Sequence, residues 1–447
     1  MCKPKFIRND CSLRSYACIN KYTGKVKQHC VIKILHPLLF VWIIPFFCIS
    51  SAHALNLSDV EQITKQNDYI SKARQFRGDA LRESAIADAQ LPDPQLNLGL
   101  FNLPTDDFDI NSEPNTQLRF GVSQSFPRGK TLAIKEKQTK WAGNAEYQLS
   151  SDEVAKSIRS VREYYLNLYY QISAQEIINE SRQYFAQLVD IVESYYRVGR
   201  VNQQDLLRAQ LELSRLDDRV IELKTKEDLA RAELSKWLDD KAFEPIEKEY
   251  PTLPALISQQ EIINSLVDHP SIQAEDSMVS FFDEGVAIAR EQYKPGWSIG
   301  VEYRKRFGDN NDGSDREDQA AAMVKFDLPI FTDQRQDRRL AASQHQVSAA
   351  KFVRSDKLQS LRQAVLRDYA NWTRLSERTA LYEARLVPEA NANAHASLTA
   401  YQSGVTEFTT LARARITQLN VRLDSLRAKT ERSSAHARLL YLAEGVL

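Results

Sequence analysis

The sequence predicts a mainly α-helical, elongated protein with a small β part, and three observations carry that prediction. Apolar residues recur with a 3.5-residue period over segments far longer than an ordinary globular helix. Four short segments alternate apolar and polar residues. The whole pattern runs twice through the 447-residue chain.

The period comes first. Val154, Ile158, Val161, Tyr165, Leu168 and Ile172 step alternately by four and three. Leu358, Leu361, Val365, Asp368, Trp372, Leu375, Thr379, Tyr382 and Leu386 do the same, as do Ile416, Leu419, Leu423, Leu426, Thr430, Ser433, Ala437 and Leu440. Leu213, Leu216, Val220 and Leu223 complete the set. A sustained 3.5 period predicts coiled-coil packing. A helix of about 70 residues is roughly 105 Å long, well beyond a globular domain.

The repeat has three landmarks. Pro92 in LPDPQLNLGL and Pro295 in YKPGWSIGVEY are 203 residues apart. Pro127 in VSQSFPRGK and Pro329 in VKFDLPIFTDQ are 202 apart. Tyr196, Gly199, Leu206, Arg208 and Ala209 meet Tyr401, Gly404, Leu411, Arg413 and Ala414 at an offset of 205. A near-constant offset over more than a hundred residues predicts a duplicated unit of about 200. The expected organisation is a signal region at 1–54, a first repeat at 55–240, a connector at 241–257 and a second repeat at 258–447. Each repeat reads as helix, two strands, one very long helix, turn and helix. The helices are expected at 57–90, 128–198 and 202–239, then at 258–293, 332–402 and 405–443. The connector, with three prolines, is expected to be non-helical.

The strands are expected near 95–102, 116–126, 296–307 and 318–329. Leu118, Phe120, Val122 and Phe126 share one face, with Arg119, Gly121, Ser123 and Ser125 opposite. Trp297, Ile299, Val301 and Tyr303 oppose Ser298, Gly300, Glu302 and Arg304. Leu96, Leu98 and Leu100 form a third stripe; Ala320, Ala322, Val324, Phe326 and Leu328 form the fourth. Such a segment is either a half-buried strand of a soluble sheet or a membrane-crossing strand. The long acidic loops at 104–115 and 308–318 favour the second reading. Four strands cannot close a barrel, and open edges do not survive in lipid, so this reading requires an oligomer.

All five cysteines lie before residue 54, so the main body has no disulfide, thiolate metal site or cysteine nucleophile. The apolar run LLFVWIIPFFCIS (38–50) is too short to span a membrane as a helix and ends at Ala52-His53-Ala54. It reads as a secretory signal of about 31–54 cut after Ala54, with Val31 the expected initiator. Removing residues 1–54 removes eight Lys/Arg and one Asp, which leaves 51 basic and 58 acidic residues, net −7. No basic excess points to nucleic acid. No phosphate loop or nucleophile elbow is present, and carboxylates on heptad helices read as solvated faces, so an enzyme is not expected. No cofactor is expected. His269, His345, His395 and His436 lack ligand spacing, so no metal site is expected either.

The signal, the duplication, the paired strands and the heptad helices together resemble the outer-membrane efflux protein family, the TolC-like channels. The resemblance spans about 55–445. It implies a homotrimer in the outer membrane of a Gram-negative bacterium. Each protomer would give four transmembrane strands to a 12-stranded β-barrel set in outer-membrane lipid, and long coiled-coil helices to a periplasmic α-barrel. The implied partners are a periplasmic adaptor protein and an inner-membrane efflux pump. In such channels the two helix–turn–helix ends form the periplasmic tip where adaptors dock. Val198-Gly199-Arg200-Val201 resembles that turn, and Ser403-Gly404-Val405-Thr406 is its counterpart. Both glycines are expected at positive φ. Acidic residues after the glycine often narrow the pore. Asp205 stands at such a position, Thr410 is its equivalent and Glu407 is the one acid near it, so the second repeat lacks the family's aspartate pair.

Cys48 follows Phe46-Phe47, where a lipoprotein signal wants small residues, so no acylation is expected. The leading Pro92-Asp93-Pro94-Gln95-Leu96 segment, the modest length and the unlipidated N-terminus look most like the branch serving heavy-metal pumps of the resistance-nodulation-division type. Type I secretion and multidrug efflux are alternative duties for the same duct. A non-pore periplasmic coiled-coil stalk explains the heptads, but not strand pairs at matching places in both repeats.

Overall fold

A computed structural model describes residues 54–445. The signal region and the start at Val31 lie outside the described residues, apart from Ala54. Among the described residues the chain forms α1 (Leu57–Asn67), α2 (Tyr69–Asp88), β1 (Gln95–Phe101), β2 (Gln117–Phe126), α3 (Thr131–Arg197) and α4 (Gln203–Leu238). Then follow α5 (Gln259–Ser265), α6 (Pro270–Glu291), β3 (Gly296–Arg306), β4 (Gln319–Asp327), α7 (Gln336–Leu381), α8 (Val387–Gln402) and α9 (Phe408–Leu442). The fold is mainly helical with one small sheet.

The 67 residues of α3 form one helix of about 100 Å. It packs on α2 and α6 toward the strands and on α4 and α9 toward its far end. On α4 the buried positions Ala209, Leu216, Leu223, Ala230 and Trp237 recur every seven residues. Burial of Leu361, Val365, Asp368, Leu375 and Thr379 follows the heptad on α7. The far end has one core, in which Phe185, Leu188 and Val192 of α3 meet Leu216 of α4, Tyr401 of α8, and Phe408 and Leu411 of α9.

Three expected helices prove to be interrupted, each for a local reason. The helix at 57–90 breaks at Asp68, whose buried carboxylate accepts from Ile70 N and Ser71 N at 3.1 Å and so caps α2. The helix at 258–293 breaks at His269, whose ring caps α6 ahead of Pro270. The two breaks are 201 residues apart. The helix at 332–402 passes through a π turn at Tyr382–Leu386. Pro388 has no N–H for the Ala384 carbonyl, and the Val387 N–H reaches back to Tyr382 O. The connector, expected to be non-helical from 241, instead opens inside a 3-10 helix, Asp239–Phe243, and turns extended at Glu244. Leu55 bridges Ile246, and the Tyr250 hydroxyl donates to Lys429 O at 2.9 Å on α9.

The sheet is antiparallel in the order β1-β2-β3-β4. Its central pair places Phe120 opposite Tyr303 and Val122 opposite Val301, so β2 joins the strand pairs of the two repeats directly. Its outer strands, β1 and β4, each leave one edge unpaired.

Candidate functional site

Register decides which side chains share a face of the sheet. Leu96, Val122, Val301 and Ala322 lie in one row. Leu98, Phe120, Tyr303 and Ala320 lie in the next, and Phe126, Trp297 and Phe326 end the face near the helices. This apolar face is bare: Leu96 is 67% exposed, Val301 57%, Val324 53% and Phe326 62%. The opposite face carries Arg119, Ser123, Ser298, Gly300, Glu302 and Arg304, all half-buried. A half-buried soluble sheet shows the reverse, with apolar residues covered and polar ones wet. Fully burying one large apolar side chain is worth about 1.5–3 kcal/mol, so this face withholds on the order of 10 kcal/mol until something apolar covers it. Aromatic residues bracket the band. Phe126 and Trp297 stack at 4.0 Å at the helix end, and Tyr303 stands toward the loops. The two loops hold each other through Arg316, which donates to Phe307 O at 2.8 Å and to Glu113 O at 3.1 Å.

The strands meet the helices at a fixed joint. Gly129 has φ +51°, and Lys130 N donates to Glu291 Oε2 at 2.7 Å. Arg128 reaches the Gln292 carbonyl at 2.6 Å. Lys294, bonded to Glu291 at 2.7 Å, holds the Glu291 carboxyl below its ordinary range.

At the opposite end of α3 stand the two turns singled out in the sequence. Gly199 has φ +69° and Gly404 φ +71°. Gly199 N donates to Tyr196 O at 3.0 Å and Arg200 N to Tyr195 O at 2.9 Å. Gly404 N donates to Tyr401 O at 3.0 Å and Val405 N to Ala400 O at 2.9 Å. Both turns are therefore the same Schellman motif, which satisfies the last helix carbonyls. Neither glycine has an atom within 4 Å of where a Cβ would stand. Each turn also presents a bare valine, Val198 at 67% and Val405 at 76% exposure. Arg200, Ser403 and Gly404 are exposed, while Val201 and Thr406 are half-buried against the core.

Beneath them lies an aromatic cluster that has no signature in the repeat or the heptad pattern. The Tyr195 and Tyr401 rings lie 6.2 Å apart, and Tyr401 meets Phe408 at 6.1 Å. Tyr401 was visible only as a repeat match of Tyr196, yet it is buried and joins the two tips. The next helices start differently. Asn202 caps α4 through Asp205 N at 2.9 Å, whereas Glu407 occupies the cap of α9 without a side-chain bond. Asp205 and Thr410 hold the same third position of their helices, Asp205 half-buried and Thr410 exposed.

Among the described residues no group of three or more His, Cys, Asp or Glu is placed to hold a metal ion, and no helix is long and apolar enough to cross a membrane. The second statement does not bear on strands.

Residues 262–443 match the family described as outer membrane efflux protein. Several solved structures share the fold. The outer membrane protein VceC of Vibrio cholerae is 16% identical, with 87% of this chain and 96% of that chain covered and a TM-score of 0.73. The CmeC outer membrane channel of Campylobacter jejuni is 14% identical, with 88% and 87% covered and a TM-score of 0.71. The open state of the MtrE outer membrane channel of Neisseria gonorrhoeae is 16% identical, with 87% and 89% covered and a TM-score of 0.69. No curated protein matches the sequence.

Proposed function

We propose that this chain, whose residues 262–443 carry an outer membrane efflux protein domain, is one protomer of a trimeric exit duct in the outer membrane of a Gram-negative bacterium. The observation that carries the reading is the inverted sheet: a bare apolar face, a polar face half-covered along the central strands β2 and β3, and two open edges. Lipid covers such a face, and only further strands satisfy such edges in lipid. Three copies supply twelve strands, within the range of known membrane barrels. The helices then extend the tube through the periplasm toward an adaptor and an inner-membrane pump. The duct is passive and is not an enzyme. Heat-modifiable trimers in the outer-membrane fraction are expected; a monomer in the soluble periplasm would support the stalk reading instead.

The adaptor docks at the tips, through Val198, Gly199, Arg200 and Val201 on one hairpin and Ser403, Gly404, Val405 and Thr406 on the other. Support comes from their shared geometry and their bare valines. Asp205, Glu407 and Thr410 are the candidate constriction beside them. Gly199→Asp and Gly404→Asp test the docking, because Asp tolerates positive φ better than most residues and nothing crowds either position. Trimers are expected to persist while export falls to the level of a deletion strain. Normal export by both variants would refute the assignment.

The leading segment at 92–96 favours heavy-metal cations as cargo, with drugs and secreted polypeptides as the alternatives. Growth and cell metal content of a deletion strain, across zinc, cobalt, cadmium, copper, nickel and silver with bile salts and dyes alongside, separate them. Metal sensitivity with raised cell metal, reversed by complementation, supports the metal pump; sensitivity to dyes and bile salts alone supports a drug pump.

A further inference from the structure

The polar face of the sheet carries a charge pattern that the duct reading does not require. Arg119 on β2 lies directly opposite Arg304 on β3. Like charges in directly opposed positions repel, and arginine does not discharge to relieve it. One carboxylate stands between them: Glu302 lies 2.5 Å from Arg304 Nε and 3.7 Å from Arg119 Nε. The Arg119 guanidinium also covers the Phe101 ring at 4.0 Å. Two residues beyond Arg304 on the same face, Arg306 donates to Pro114 O at 3.0 Å. This end of the face therefore holds three arginines against one glutamate. Deeper along it, Asp327 pairs with Arg128 at 3.9 Å, and Lys325 stands two residues away on the same strand face. Toward the loops the sign reverses. Asp106, Asp107, Asp109 and Glu113 lie in one loop without a basic residue. In the other, Asp309, Asp312, Asp315, Glu317 and Asp318 outnumber Arg316.

We propose that the barrel is electrostatically layered, with an acidic outer rim above a basic collar of Arg119, Arg304 and Arg306 that favours anions over cations. The inference rests on the duct reading, which puts the polar face in the lumen. Three copies set three collars around one water-filled bore, and low-dielectric walls focus their field. The field fades over a Debye length of about 8 Å at physiological salt, so Arg306, which touches the rim loop at Pro114, marks the boundary, and Arg119 and Arg304 carry the collar below it. An organic anion crosses the collar with the field. A free divalent cation crosses against it.

The absence of cysteine after residue 48 makes the test clean. In intact cells, single-cysteine versions Ser112→Cys, in the rim, and Ser123→Cys, inside the collar, are labelled with an anionic sulfonatoethyl and a cationic trimethylammonioethyl methanethiosulfonate. The cationic reagent is expected to react faster at 112. At 123 the anionic-to-cationic rate ratio is expected to rise about threefold or more relative to 112. Arg119→Gln with Arg304→Gln is expected to abolish that rise, and Glu302→Gln alone to increase it. An equal ratio at both positions, or a ratio at 123 unmoved by either set of variants, would overturn the layering while leaving the duct intact. No labelling of position 123 by either reagent, with 112 labelled, would remove the water-filled lumen and the duct reading with it.

Discussion

Gly129 and Gly199 have the same backbone conformation in opposite surroundings. A Cβ on Gly129 would stand 1.8 Å from Glu291 Oε2 and 2.6 Å from Lys294 Cδ, whereas one on Gly199 meets nothing. Both alanine variants lose about 1–2 kcal/mol to the left-handed conformation. Only Gly129→Ala also displaces the carboxylate that accepts from Lys130 N, a charge-assisted bond worth about 1.5–3 kcal/mol. Gly129→Ala is therefore expected to lower the temperature of trimer dissociation clearly more than Gly199→Ala; equal shifts would show that the joint carries no special load. His269 makes a second residue-scale prediction. Its Nδ1 accepts from Ser271 N at 3.2 Å and its Nε2 donates to Tyr441 O at 3.2 Å, so the neutral ring is fully partnered. Burial lowers its pKa, as it does that of His436. A group with a depressed folded pKa stabilises above its unfolded value, about 6.5, and loses that contribution as pH falls through the folded value. Stability is expected to decline below about pH 6.5. His269→Asn keeps a capping side chain and removes part of that slope, leaving the part due to His436. An unchanged slope in scans from neutral to acid pH would exclude His269 as a source.

At the scale of elements, the long helices were legible because a 3.5-residue period survives any tertiary context. Their interruptions were not. Asp68 acts as a cap because the fold buries it, and its residue type does not break a helix by itself; at His269 the following Pro270 does mark a loop position in the sequence, but not the ring's role as cap. The π turn shows the same limit. The heptad through Thr379, Tyr382 and Leu386 would next bury 389 and 393, yet the buried residues are Ala390 and Ala394. One extra residue is absorbed at Tyr382–Leu386, and the seam slips by one. Deleting Glu383 is expected to convert the turn to α-helix and leave the Tyr195–Tyr401 contact, trimer and export intact. Deleting Gln363, equally exposed but outside the turn, rotates the seam through Val365, Asp368 and Leu375 by about 100° and is expected to abolish trimers. Equal tolerance of both deletions would mean that the turn does not set the register. The tip glycines were legible through their repetition, but the aromatic cluster beneath them was not, since burial of Tyr401 depends on α3 and α9 together.

For the whole molecule, alternation located the strands but left open which face is wet, because the same sequence pattern serves a soluble sheet turned inward and a membrane sheet turned outward. In the structure Val301 and its row are bare, whereas Gly300 and its neighbour Ser123 on the opposite face are half-covered. Adjacent substitutions therefore have opposite outcomes. If lipid covers the apolar face, Val301→Arg places a charge in it, which costs about 2–4 kcal/mol near the midplane of a barrel and recurs in every copy of the proposed trimer. Gly300→Arg points to the opposite, polar face, where the nearest atom to its Cβ is Ser123 Cβ at 3.6 Å. Outer-membrane trimers are expected to be lost with Val301→Arg and retained with Gly300→Arg. In a soluble sheet the ranking reverses, since arginine at an exposed position is harmless and arginine at a half-covered glycine is not. The pair of variants thus asks, at neighbouring residues of one strand, whether lipid or water covers the apolar face, and recovery of Val301→Arg as an outer-membrane trimer would leave that face without its proposed partner.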